Sequence, residues 1–353
     1  MRNLILPFIL LLTFVFSCRE NDNIAEILEK KNTSYDVYVA GTENNEACYW
    51  KNTLKTVLPN GTGYDPYQIF LNNNDIYVFA YYQNPITHEV NYYYWKNNIK
   101  YDIAQYLGIQ PNTAISQNFT ISNFFVENGN VYIAGLMRNP AATSTQNQYQ
   151  YCYWKNGIKT VVFEQNDYTT SASIYLIGND VYVPLENNII NTPTTNWDLG
   201  YYKNGVYHFV STFSNCLDIH EEGGSLKMLI KDNTNQTVYY KDLSTGIITP
   251  SPSFISFNNS YYHLQIDGIN RYFIGTVDYY KNNIQYNLYP MGSNFKYLNS
   301  FKALDNNIYK ILHTDDNTGV NYKVFVNDVE VQSTANPIGT TNTEFTSLTV
   351  IPN

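Results

Sequence analysis

The sequence predicts an all-β fold assembled from one short unit repeated along the chain. Three observations carry this expectation. Tyrosine and asparagine dominate, with 35 Tyr and 49 Asn among 353 residues; Tyr favours strands and Asn favours tight turns. A unit of four short apolar runs recurs from residue 35 to the C-terminus. Its turns carry Asn-Gly, Asn-Asp or Gly-Gly pairs, the residues that tolerate positive φ in two-residue hairpins.

The length exceeds that of one ordinary domain, usually ~100–200 residues, so two domains or one large ring are expected. Hydrophobic residues make up 44% and charged residues 14%, against roughly 25% charged in an average soluble chain. That balance supplies a core and excludes disorder. A net charge of −9 with pI ≈ 5.0 excludes the basic face of a nucleic-acid binder.

The first element is a leader. Met1-Arg2-Asn3 is a positive start, and Leu4–Phe16 is an apolar run too short to span a bilayer, which needs ~20 residues. The run ends at Val15-Phe16-Ser17-Cys18, which resembles the lipobox of bacterial lipoproteins. That resemblance implies a signal peptide over 1–17, acylation of Cys18 as the new N-terminus, and a lipidated tether over 18–34. It implies an outer-membrane location, and Glu20 and Asp22 resemble the export signal of Bacteroidota-type surface lipoproteins. A short helix is expected around Ile24–Lys30. The remaining cysteines, Cys48, Cys152 and Cys216, are odd in number. Cys48 and Cys152 share the context Cys-Tyr-Trp-Lys-Asn, which places them in separate repeats, so all three are expected as packed thiols.

The repeats follow. The clearest runs Val131-Tyr132-Ile133-Ala134-Gly135, then Tyr151-Cys152-Tyr153-Trp154-Lys155-Asn156-Gly157, then Ile158–Val162. Earlier copies begin at Asp36 and Asp75, and a fourth at Asp180. Fainter ones begin near Ser225, Arg271 and Asn307, making seven. A further strand precedes the second and later copies, as in Asn123–Val126. Four strands in roughly 45 residues match a propeller blade. The first copy has no strand before it, and the last is followed by a spare run, Phe345–Ile351. The chain therefore resembles seven-bladed β-propellers over 35–353, with four-stranded blades and a ring closed by the C-terminal strand. Its Tyr-Val-Ala-Gly and Tyr-Trp-Lys-Asn-Gly units look like those of Bacteroidota-type propeller lipoproteins. The paired Gly of kelch units and the Trp-Asp ending of WD40 units are absent.

Trp50, Trp95 and Trp154 occupy one repeat position and are expected to pack between blades. Asp218, His220 and His263 fall on or near innermost strands, where a solvated channel wall is expected. Asp232–Asn235 and Asp315–Gly319 hold oxygen ligands but lack the full calcium loop, and read as polar hairpins. No catalytic, metal or cofactor motif is present. The connections at Phe79–Asn91, Leu136–Gln150 and Leu185–Leu199 are long, and function commonly sits on variable loops. Their Tyr81, Tyr82, His88, Arg138, Tyr149 and Trp197 are the ligand-binding candidates. The expected function is recognition of a glycan or protein ligand by a membrane-anchored propeller. The alternatives are a hydrolase or lyase, which needs carboxylates converging on the channel mouth, and a structural subunit of an envelope complex.

Overall fold

The computed structural model describes residues 34–110, 119–142, 148–166, 173–188, 197–256, 263–316, 319–334, 336 and 343–353. The expected leader, Cys18 and the helix expected at 24–30 lie outside these residues. No helix among the described residues is long and apolar enough to cross a membrane.

Seven four-stranded antiparallel sheets form a seven-bladed β-propeller. The first blade contains β1 (Tyr35–Glu43), β2 (Glu46–Lys51) and β3 (Leu54–Thr62). The second runs β4 (Asp65–Asn72), β5 (Asp75–Gln83), β6 (Val90–Lys96) and β7 (Ile99–Asp102), and ends in one helical turn, α1 (Ile103–Tyr106). The third is β8 (Thr120–Glu127), β9 (Asn130–Arg138), β10 (Tyr149–Lys155) and β11 (Ile158–Gln165). The fourth is β12 (Tyr175–Ile177), β13 (Asp180–Asn188), β14 (Trp197–Lys203) and β15 (Val206–Thr212). The fifth is β16 (Ser214–Glu222), β17 (Ser225–Asp232), β18 (Thr237–Asp242) and β19 (Ile248–Pro250). The sixth is β20 (His263–Asp267), β21 (Asn270–Ile274), β22 (Asp278–Lys281) and β23 (Ile284–Asn287). The seventh is β24 (Tyr297–Leu304), β25 (Asn307–Asp316), β26 (Gly319–Val326) and β27 (Val329–Ser333). The final strand, β28 (Thr343–Pro352), pairs with β1 and closes the ring, as the spare C-terminal run implies. The ring spans Val37–Val350 as one compact unit. In the small unit that joins the chain ends, Asn353 N donates to Ser34 O at 2.8 Å.

The repeated Lys-Asn-Gly segment is a turn latch. Asn156 and Gly157 take φ of 50° and 80°, and Asn204 and Gly205 take 49° and 86°, as a type I′ hairpin requires. Asn also has a second task that Gly cannot perform. The Oδ1 atoms of Asn52, Asn97, Asn156, Asn204, Asn282 and Asn327 accept from a backbone N–H at the start of the second strand, at 2.8–2.9 Å. In five blades the same Asn donates Nδ2–H to the Asp or Asn one residue earlier, at 2.5–2.8 Å. The adjoining Lys96 and Lys203 pair with Asp75 and Asp180 at 2.8 and 2.7 Å. Each latch ties the two hairpins of a blade together at one end of the ring. Replacing Asn156 by Ala removes both bonds and leaves at φ 50° a residue that adopts the left-handed region less readily than Asn. Chemical denaturation should show a loss of about 1–2 kcal/mol.

The core lies between blades. Tyr77, Phe79 and Tyr94 of the second blade meet Phe124, Ile133 and Trp154 of the third. Tyr132, Tyr151 and Tyr153 of the third meet Ile174, Val181 and Leu185 of the fourth. Both faces of each sheet are therefore covered, which explains why the strands do not alternate cleanly. Trp50, Trp95 and Trp154 are 5%, 0% and 2% exposed, so they pack as expected. None of Cys48, Cys152 and Cys216 forms a disulfide. Burial pushes the Cys48 and Cys152 thiols up to about 12, which leaves them unreactive.

First strands of neighbouring blades touch around the axis. Four of them, β4, β8, β16 and β24, carry a bulge at Tyr67, Ser122, Leu217 and Asn299. Polar side chains near these bulges bind the next blade. Asn123 Oδ1 accepts from Ile174 N at 3.0 Å, and Ser300 Oγ accepts from Leu348 N at 3.2 Å. Gln265, on the regular strand β20, donates to Phe301 O at 2.7 Å.

The long loops are shorter than the sequence implies. The second and third strands extend further, leaving connections at 84–89, 139–148 and 189–196. Cross-strand aromatic pairs such as Tyr81↔Tyr92 lengthen the ladder into what reads as loop composition.

Candidate functional site

A cavity of about 600 Å³ opens where the seventh, first and second blades meet. It is built from equivalent positions of three first strands. β28 contributes Glu344, Thr346 and Ser347; β4 contributes Asp65, Pro66, Tyr67 and Gln68; β24 contributes Asn299 and Ser300. Thr42 of β1 and Tyr81 of β5 complete the wall. Asp65 and Glu344 lie at the starts of their strands, so the cavity sits at the end of the ring opposite the Asn latches.

The wall is held by hydrogen bonds across the closure. Asn299 Nδ2–H donates to Phe345 O at 2.9 Å, and Thr346 Oγ1–H donates to Ala40 O at 3.1 Å. His313 Nδ1 shares a hydrogen bond with Asn299 Oδ1. The His313 ring lies against Tyr297 and Tyr322, with centroids 4.7 and 5.0 Å away. Tyr322 in turn hydrogen-bonds the Glu344 carboxylate.

The electrostatics are one-sided. Burial pushes the Glu344 carboxyl upward, the Tyr322 hydrogen bond pulls it down, and the Asp65 charge raises it further. Surrounding protein atoms raise the Asp65 carboxyl, although the residue is open to solvent at the mouth. Burial raises the Tyr81 hydroxyl, and the charges of Asp65 and Glu344 add to that. Among the described residues none that lines the cavity is Lys, Arg or His. The described lining offers carboxylate, carboxamide and hydroxyl groups beside two tyrosine rings. Among the described residues no group of three or more His, Cys, Asp or Glu could hold a metal ion.

Of the loop candidates, Tyr81 alone among the described side chains reaches this cavity. Tyr82 packs on Tyr64 at 5.3 Å, in an aromatic cluster that also holds the Lys100 ammonium 3.6 Å from the Tyr64 centroid. His88 is exposed in the 84–89 turn, with φ 58°. Arg138 and Tyr149 face each other across the β9–β10 ladder, both half-buried. Trp197 opens β14 opposite Asn188, and its side chain lies outside the described residues.

The solvated channel wall expected at Asp218 and His220 is not observed. Their side chains are 7% and 10% exposed and bonded to each other at 2.8 Å. The bulge at Leu217 shifts the register, and Asp218 sits near Tyr175 and Tyr240, whose hydroxyls it pushes upward after burial has done so. His263 is exposed. Asp232 accepts from the backbone N–H of Thr234 and Asn235 at 2.9 and 3.1 Å, so it shapes its own hairpin. The 315–319 side chains lie outside the described residues.

Comparison with known proteins finds no matching family model and no matching curated protein. Solved structures do match. Acylaminoacyl peptidase from Pyrococcus horikoshii shares 12% identity over 87% of this chain and 51% of its own, with a TM-score of 0.50. A puromycin-hydrolyzing peptidase from Mycobacterium tuberculosis shares 10% over 86% of this chain and 53% of its own, at 0.51. The β-propeller domain of the Trilobed protease from Pyrococcus furiosus, described as having an open velcro topology, shares 11% over 86% of this chain and 96% of its own, at 0.50. The chain spans about half the length of the two peptidases. At such identities the likeness is one of fold, and the chain belongs to the β-propeller class.

Proposed function

We propose that this chain is a lipid-anchored recognition propeller, held at the outer surface of the outer membrane through Cys18, whose cavity binds a neutral glycan. The observation that carries this reading is the cavity wall. Carboxylates and carboxamides accept and donate to sugar hydroxyls through strong, directional bonds, and Tyr67 and Tyr81 offer faces for the apolar side of a sugar ring. With no Lys, Arg or His among the described residues of the wall, phosphorylated or uronic ligands are disfavoured. A neutral-glycan array probed with the full chain tests it. Glu344→Gln and Asp65→Asn should each weaken binding by roughly 30-fold, the scale of about 2 kcal/mol at a hot spot. Unchanged affinity in both would remove the cavity from the account.

The same substitutions carry a stability signature of known sign. Both carboxyls are raised in the folded chain, so the native state binds these protons more tightly than the unfolded state. Stability therefore falls as pH rises from the ordinary carboxyl value, about 4, through the raised one. Glu344→Gln should melt above wild type at pH 7, and the gain should vanish below about pH 4. A lower Tm at pH 7 contradicts the one-sided electrostatics.

The pair of carboxyls in one cavity also favours a second reading, hydrolysis of the bound glycan, a reaction that uses two such groups. Release of reducing ends from an array-positive glycan, lost in both variants, would support it. Cys18→Ala should leave the protein outside the membrane fraction or with an uncleaved leader. Wild-type fractionation of that variant contradicts the anchor.

A further inference from the structure

The end of the ring opposite the cavity carries a regular set of exposed aliphatic side chains. Leu54, Ile99, Ile158, Val206, Ile248, Ile284 and Val329 occupy one ladder position in all seven blades. Each opens the outermost strand and pairs with the last residue of the third, or in the fifth blade with the next to last, Lys241. All are 58–75% exposed. Scattered surface hydrophobes need no explanation, but an unbroken ring does. Strand propensity alone admits Thr or Tyr at such a site. The next residue along shows that freedom, being Lys55, Lys100, Lys159, Tyr207, Thr249, Gln285 and Glu330.

We propose that this rim rests on the lipid surface that holds Cys18, a proposal that depends on the lipoprotein reading. Equivalent positions of a ring lie at one height along its axis, so the seven side chains define a plane, and a bilayer surface is a plane. The ladder partner is Lys in six of the seven blades. Lys96 and Lys203 among them are held by Asp75 and Asp180 in the latches, and a Lys stem can lie along apolar surface. The chain also enters the ring at this end. Val37 N–H donates to Asn52 of the first latch at 2.8 Å, one strand position from the rim. A tether over 18–34 reaches at most about 60 Å, which keeps the rim at high effective concentration against the membrane, so weak contacts suffice. The cavity then faces away from the bilayer.

Spin labels test the orientation on the full-length, acylated protein in phosphatidylcholine vesicles. Nitroxides at Ile99→Cys, Ile158→Cys and Val206→Cys are compared with one at Ile86→Cys, an exposed aliphatic in the 84–89 connection of the cavity end. Rim labels should collide several-fold less with a water-soluble nickel chelate and more with oxygen than the label at position 86. Equal accessibility at both ends, in protein that remains vesicle-bound, overturns the rim proposal and leaves the anchor standing. Wild-type protein without acyl chains on Cys18 removes the anchor and the rim proposal together. Rim protection that persists in Cys18→Ala protein without vesicles means that a second copy covers the rim, which also overturns the proposal.

Discussion

A chain ending at Gly339 is expected to lose its cooperative melting transition and to aggregate. β28 is the innermost strand of the first blade, and without it the ladder edge of β1 is open. Phe345, Leu348 and Val350 are 1%, 6% and 5% exposed. Phe345 meets Trp50 edge-on with centroids 4.9 Å apart. Losing three such side chains removes roughly 5–8 kcal/mol of burial, comparable to the whole stability of a typical domain, about 5–15 kcal/mol. An unpaired edge beside uncovered aromatic surface then invites association. Calorimetry and light scattering on the truncated chain decide the matter. An unchanged, cooperative transition at the wild-type Tm would show that the ring does not depend on its closing strand.

The second large effect is expected at the glycine of the Tyr-Val-Ala-Gly unit. A Cβ on Gly135 would lie 2.0 Å from Thr120 O, and one on Gly41 would lie 1.8 Å from Glu344 O. Both contacts are to the backbone of the adjoining first strand, which cannot swing away. Gly135→Val should therefore cost 3 kcal/mol or more, about the scale of a core overpacked against a fixed wall. Gly200→Ala is the internal control. Its Cβ also comes close, at 2.4 Å, but to the ring of Tyr207, a side chain 40% exposed and free to rotate outward. Gly200→Ala should cost markedly less in the same denaturant titration. Equal losses would mean that the backbone approach is not what fixes glycine at 135.

Much of this architecture was legible because each blade repeats the same chemistry. The Lys-Asn-Gly latch, the Tyr-rich second strand and the packed Trp are visible as motifs, and the spare run at 345–351 correctly implied the ring closure. The cavity was not visible. Asp65 and Glu344 are 279 positions apart in the chain and meet only because β28 completes the first blade beside the second. The signal was present in principle: aligning the spare run with the first strand of the second blade puts Glu344 on Asp65 and Ser347 on Gln68. Tyr81 and Tyr149, which read as loop residues in the sequence, instead continue their strands, because aromatic residues beyond the recognisable motif extend the ladder. Asp218 and His220 are buried against each other rather than solvated, beside a bulge at Leu217 that shifts the register of their strand.

The account turns on the cavity as the ligand site, and a neutral-glycan array read with four proteins tests that most directly. Wild-type chain, the Asp65→Asn/Glu344→Gln double variant, Tyr149→Ala and Trp197→Ala are compared at equal concentration and equal folded fraction. The account expects the double variant to lose the wild-type pattern while both single loop variants keep it. If the double variant binds as wild type does and the Tyr149 and Trp197 variants lose binding, recognition lies at the strand ends that flank the 139–148 and 189–196 connections, and the cavity is not the site.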